Sequence, residues 1–257
     1  MYKSLRALIE SALHRRSLRR WQQLADGAVS LSGEALRLNR QRGRQLRRHI
    51  DRLTHLAELH LALPMIGSNV ILSPHGTDWA YRPGLWAGPL PEPGRSAVPN
   101  KAQIGPEAIV FHDCRVSELT FRQIRNTRES DLAPFGLRLD VFRFDGSFLS
   151  LAIDLPSEAA QTTRLKHIIR VNAAVEMEKP LEIFARLNIK HGPNLEQIVQ
   201  EFPLGGLEVV TEFDLAYSKI NEKRIEKMWL DLIFEGPEMN QIILRDVTIS
   251  RRPRAEL

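Results

Sequence analysis

Within this 257-residue sequence, a few groups of side chains have the types and spacing for chemistry. Phe184, Arg186, Asn188 and Lys190 occupy alternate positions, and His191 and Asn194 follow at once in the turn His191–Gly192–Pro193–Asn194. Alternate residues of a strand project to one side. Trp229, Asp231 and Glu235 offer a second strand of the same kind. Sugars are held by planar side chains lying on the C–H face of the ring, and by amides and guanidinium groups donating to hydroxyls. These nine residues are therefore candidates for a saccharide platform, and the plainer alternative is a mixed polar outer face with a structural turn.

Two carboxylate pairs suit a different chemistry. Glu176 with Glu178, and Asp231 with Glu235, could flank a glycosidic bond as acid and base, provided an apolar pocket raises one pKa. His112–Asp113–Cys114 sets an imidazole two residues from a thiol, although Cys114 also reads as a small packed side chain. Asn126, Arg128 and Asp131 fall in one loop, where a salt-bridged surface cluster is an equal reading. Nucleotide-binding glycine motifs, a GxSxG elbow and an HExxH zinc helix are all absent from the sequence, which argues against an enzyme. The single cysteine excludes an internal disulfide or a multi-thiolate metal site, and no metal or cofactor is expected.

The elements that must position these groups come from periodicity. Beyond residue 107 the dominant period is two: Leu181, Ile183, Ala185, Leu187 and Ile189 alternate with Glu182, Phe184, Arg186, Asn188 and Lys190. Similar runs cover Ala108–Cys114, Ser117–Asn126, Gly136–Phe144, Ser147–Leu155, His167–Glu178, Glu208–Tyr217, Lys227–Phe234 and Gln241–Ser250. Breakers such as Asp145–Gly146 and Glu235–Gly236–Pro237 separate them, and no long amphipathic helix intervenes. This pattern predicts an antiparallel, all-β sandwich or jelly roll over 108–257.

Residues 64–107 read as an ordered Pro/Gly-rich connector. Eight prolines and six glycines between 64 and 106 rule out a helix or an interior strand, since proline lacks the N–H. Trp79, Tyr81, Leu85 and Trp86 nevertheless need cover from water.

Residues 1–63 read as a basic helical segment. It holds 13 Lys/Arg against five Asp/Glu, a net of +8, which leaves −3 over the rest of a chain whose total is +5. After Ser32, a suitable N-cap, Leu46, Ile50, Leu53 and Ala57 share one helical face while Arg37, Arg40, Arg44, Arg47 and Arg48 gather on the other. Upstream, a break near Ser17 is expected, because Arg16 and Arg20 would otherwise extend the apolar stripe of Leu5, Leu8, Ile9, Ala12 and Leu13. Guanidinium groups pair with phosphate, so the arginine face suits an anionic surface or an acidic protein partner. Nucleic acid is disfavoured, because no aromatics interleave with the arginines.

The strings Leu181–Asn194, Trp229–Gln241 and Arg251–Leu257, together with Ser17–Trp21 and Gly67–Asn69, give the chain a wider likeness. It resembles, over nearly its whole length, a family of alphaproteobacterial proteins of the Rhodobacter group with no assigned activity. That resemblance implies a non-secreted protein and carries over no catalytic residue. The closing hairpin, Trp229–Phe234 with Gln241–Ser250 and Leu244–Val247 near its end, is similar to the last strands of carbohydrate-binding jelly rolls.

No apolar run approaches the roughly 18 residues that span a bilayer, and no cleavage site follows the start, so a cytoplasmic protein without a transmembrane segment is expected. The expected function is a non-catalytic binding module. Its sandwich would recognise a saccharide or similar polar ligand, while the basic helices dock to a partner or an anionic surface. A carboxylate-dependent glycan enzyme and a scaffold acting through its N-terminus are the alternatives.

Overall fold

The computed structural model describes residues 2–61, 70–116, 118–203, 205–206 and 208–254. Gly67–Asn69 and Ala255–Leu257, which belong to the strings that carry the family resemblance, and Ser117, the first residue of an expected strand, lie outside them. The chain divides into two compact units, Met1–Thr54 and His55–Leu257.

The first unit holds α1 (Tyr2–Asp26) and α2 (Gly33–Leu61) as far as Thr54, joined through a short turn of 3-10 helix at Ala28–Ser30. Ser32 caps α2, its hydroxyl accepting from the Ala35 N–H at 3.3 Å. The expected break near Ser17 is absent, and α1 runs through it. Neither proline nor glycine interrupts Tyr2–Asp26, and Arg16 and Arg20 stand exposed, so nothing buried penalises their place on the stripe. On α2, Ala35, Asn39 and Gly43 are half-buried at four-residue spacing, and a Cβ on Gly43 would sit 3.5 Å from the Trp21 ring. The face farther along does not find cover. Leu46, Ile50 and Leu53 are 39%, 50% and 68% exposed.

The second unit is a β-sandwich of two antiparallel sheets. Residues 70–107 supply β1 (Trp79–Tyr81), the one-turn helix α3 (Gly84–Ala87), β2 (Gly94–Arg95) and β3 (Ala102–Ile104). Next come β4 (Ala108–His112), β5 (Leu119–Arg125), β6 (Phe135–Val141), β7 (Leu149–Asp154), the short helix α4 (Ser157–Thr162) and β8 (His167–Met177). The chain ends with β9 (Ile183–His191), β10 (Asn194–Glu201), β11 (Glu208–Asp214), β12 (Ile225–Phe234) and β13 (Asn240–Pro253). One sheet has the order β11-β8-β13-β6-β5-β2, with β1 also pairing β13; the other runs β10-β9-β12-β7-β4-β3.

Alternation decides which side chains fill the space between the sheets. Ile183, Ala185, Leu187 and Ile189 from β9 meet Met228, Leu230, Leu232 and Phe234 from β12 in one core with Val171, Val175, Leu137 and Leu139 of the opposite sheet. β2 and β3 are short edge strands, at one end of each sheet. Contrary to the expectation of no helix in this stretch, α3 forms a single turn, because Pro83 precedes its first residue, where a missing N–H breaks no helical bond; Leu85 and Trp86 are buried in that same core. The Trp86 indole donates to the Leu244 carbonyl at 2.8 Å.

β13 changes phase midway. A bulge between Leu244 and Asp246 inserts one residue, so the inward positions pass from Ile242 and Leu244 to Val247 and Ile249. Arg245 and Asp246 are thereby both kept off the core. The same point is where β6 stops pairing β13, and beyond it β1 takes over at Ile249–Arg251.

Candidate functional site

The outer face of the six-stranded sheet carries most of the residues singled out for saccharide binding. Register places Gln197, Asn188, Trp229 and Asp154 in one cross-strand row, and Val199, Arg186, Asp231 and Ala152 in the next. Glu201, Phe184, Ile233 and Ser150 form the third. Rows on one face repeat every two residues, about 7 Å. Phe184 and Trp229, both half-buried, stand two rows and therefore about 13 Å apart along the strands.

A hydrogen-bonded chain links the middle of this face. Asp231 Oδ2 accepts from Arg186 Nε at 2.9 Å, Arg186 Nη2 at 2.7 Å and Asn188 Nδ2 at 2.9 Å. Asn188 Oδ1 accepts from Gln197 Nε2 at 2.7 Å. Asn188 is fully buried and the Asp231 side chain only 6% exposed, whereas Arg186 retains 35%. The buried amide and carboxylate thus act as supports that aim Arg186 and Gln197. Beside them, the Lys227 ammonium lies 5.7 Å from the Trp229 ring centroid and donates to Asp154 at 2.8 Å.

The remaining candidates are placed differently. His191 continues the inward phase of Ile183–Ile189 and is buried, with Nδ1 accepting from the Asn221 N–H at 3.3 Å. It faces away from the platform because its odd position matches the core residues. Among the described residues its Nε2 has no partner. Asn194 closes the β9–β10 hairpin, whose two-residue loop Gly192–Pro193 needs the positive φ of Gly192 (+60°). Lys190 pairs with Glu226 at 3.0 Å, both about half exposed. Glu235 lies past the end of β12, exposed, its N–H on the Glu182 carbonyl.

Neither carboxylate pair takes the form of an acid–base dyad. Asp231 is held by Arg186 at 2.7 Å with its side chain 6% exposed, whereas Glu235 lies exposed beyond the end of β12. Burial pushes the Glu176 carboxyl up, but hydrogen bonds and charge from Arg245 and Arg128 outweigh it, so its pKa falls below the ordinary value. A carboxyl held ionised cannot serve as general acid. Arg128 and Asp131 are the salt-bridged cluster: Arg128 meets Glu176, and Asp131 lies 3.8 Å from Arg245. Asn126 donates to the Ala133, Phe135 and Arg245 carbonyls, fastening the loop to the bulge.

His112 is likewise structural. Its Nε2 meets the Val98 carbonyl at 2.8 Å and its Nδ1 accepts from the Cys114 N–H at 3.2 Å, so both nitrogens serve the backbone. Burial raises the Cys114 thiol pKa, the opposite of an activated nucleophile.

The bulge of β13 is a polar centre that sequence reasoning missed. Arg82, its side chain 3% exposed, makes a two-point contact with Asp246. A cavity of about 180 Å³ opens beside it, between Arg128, Glu176, Arg245 and Glu208. A basic residue next to a proline, 164 positions from its partner, carries no local signal.

The fold and this face define a β-sandwich protein behind a basic helical segment. The chain belongs to the family of unknown function DUF6478, whose model matches residues 1–257. No curated protein matches it. Among solved structures it is similar to a family 11 carbohydrate-binding module from Clostridium thermocellum, in complex with a β-1,3-1,4-mixed-linked tetrasaccharide. Identity is 9% over 63% of this chain and 97% of that one, with a TM-score of 0.39. A family 22 module of the same organism is 10% identical over 73% and 99%, TM-score 0.36. The enzymatically active domain of a bacteriophage CBA120 tailspike protein is 6% identical, TM-score 0.39, and the likeness spans 55% of this chain and only 19% of that one. Among the described residues, no helix is long and apolar enough to cross a membrane.

Proposed function

We propose that the outer face of the six-stranded sheet binds an oligosaccharide without turning it over. The observation that carries this is the chain Gln197–Asn188–Asp231–Arg186 on the same face as two half-buried rings. Arg186 gives Nε and Nη2 to Asp231, and among the described residues Nη1 remains as a donor for a hydroxyl. Phe184 and Trp229 share one face about 13 Å apart, so they would stack on different rings of a chain rather than sandwich one sugar. The basic helices form the second part of the proposal, docking to a protein partner or an anionic surface in the cytoplasm.

Affinity electrophoresis of the full chain through soluble bacterial glycans tests the first part. Retardation by at least one glycan is expected, with Arg186→Ala and Trp229→Ala each weakening it about tenfold, the worth of roughly 1.4 kcal/mol. Free migration through the whole panel, or variants that migrate like the parent, would remove the proposal.

A further inference from the structure

We infer that α2 lies flat on an anionic lipid bilayer, with Leu46, Ile50 and Leu53 at the acyl boundary and the arginines at the phosphates. This rests on the reading that the basic helices dock to an anionic surface, and it names that surface.

Leu46, Ile50 and Leu53 fall within about 60° of one another on the helix. They are 39%, 50% and 68% exposed, so the stripe is uncovered in the folded unit. Arg42 lies about 40° from Leu46 on one side and Arg47 about 100° on the other, close enough for guanidinium groups on flexible stems to reach back to headgroups. Arg40, Arg44 and Arg48 crowd the far side, all exposed, and supply long-range attraction. An apolar stripe bordered by arginines, low in overall hydrophobicity, is the pattern of a helix lying in the interface plane.

Charge and shape select this occupant over two others. Gly43, Leu46, Ile50 and Leu53 follow the three-four spacing of a coiled-coil seam, so a second copy could use the stripe. Arg42 and Arg47 would then flank that seam and face each other across a parallel pair, opposing association. A nucleic acid would engage the guanidinium groups and leave three aliphatic side chains in water. An anionic bilayer satisfies both faces together, which neither of these occupants does.

Vesicle co-sedimentation of the full chain provides the test, using equimolar phosphatidylglycerol and phosphatidylcholine against phosphatidylcholine alone. The protein should pellet with the anionic vesicles and stay in solution with the neutral ones. Ile50→Asp and Leu53→Asp should each weaken pelleting about tenfold or more, as should Arg40→Glu combined with Arg44→Glu. Helix content by circular dichroism verifies that the variants fold, and Leu53→Gln, which adds no charge, should weaken pelleting in the same direction. Arg186→Ala should pellet like the parent, separating this surface from the saccharide face. Failure to bind anionic vesicles overturns the inference, as does binding that ignores Ile50→Asp and Leu53→Gln. Retention of an oligonucleotide in place of vesicles, or a dimer that Ile50→Asp dissociates, also overturns it while leaving the wider docking reading in place.

Discussion

Arg186 and Asp231 face each other across β9 and β12, and one carboxylate oxygen takes both Nε and Nη2 of the guanidinium, at 2.9 and 2.7 Å. The same oxygen accepts from Asn188, so removing it affects a buried amide as well as an exposed guanidinium. Asp231→Ala should therefore cost about 1–3 kcal/mol of stability in urea unfolding and also weaken glycan retention. Gln197→Ala, on the exposed end of the chain, should weaken retention with little change in the unfolding midpoint.

Asp246→Ala should be among the most damaging single changes in the sandwich. It leaves the Arg82 guanidinium, 3% exposed, without its carboxylate partner, and breaking a buried pair from one side costs about 3–5 kcal/mol. Replacing both, Arg82→Met with Asp246→Leu, should recover much of that loss. Urea titration of the two singles and the double reads the coupling directly.

Trp86→Phe tests the seam between α3 and β13. Part of the ring volume is kept, but the Leu244 carbonyl loses the indole donor at the bulge. A loss of about 1–3 kcal/mol is expected, against about 3–5 kcal/mol for Trp86→Ala, which also opens a cavity. Thermal unfolding of the three proteins orders them.

Acid should weaken the fold in two stages. Burial lowers the His167 pKa below its ordinary 6.5, nearby Arg251 lowers it further, and Asp78 offsets only part of this. The folded state favours neutral His167, so its contribution is complete above about pH 6.5 and declines as pH falls through that value towards the folded pKa. Glu176 is depressed below its ordinary 4.5, so its contribution persists above that pH and is lost as pH falls through the folded value. Unfolding midpoints against pH should show both stages, with His167→Gln flattening the upper one.

Much of the sandwich was legible because alternation is local. The runs at His167–Glu178 and Leu181–Ile189 alternate so strictly that each declares its buried face, and the structure makes strands of them as β8 and β9. β10 escaped notice because Asn194–Glu201 holds only three apolar residues; it is an edge strand, held by backbone pairing to β9. On the site, alternation put Phe184, Arg186, Asn188 and Lys190 on one face, but His191 obeys the same rule and turns inward. Exposure misled for Asn188, which is polar and yet fully buried by its partners on both neighbouring strands.

By itself, the sequence determined a two-sheet core and a basic amphipathic helix. Both follow from periods of two and about 3.6 residues, which the backbone imposes on any chain. Only the tertiary structure decided that Arg186 meets Asp231, 45 positions away, and that Arg82 meets Asp246 at a bulge that reverses the phase of β13. Register between distant strands depends on every pair along them at once, so no local stretch of sequence contains it.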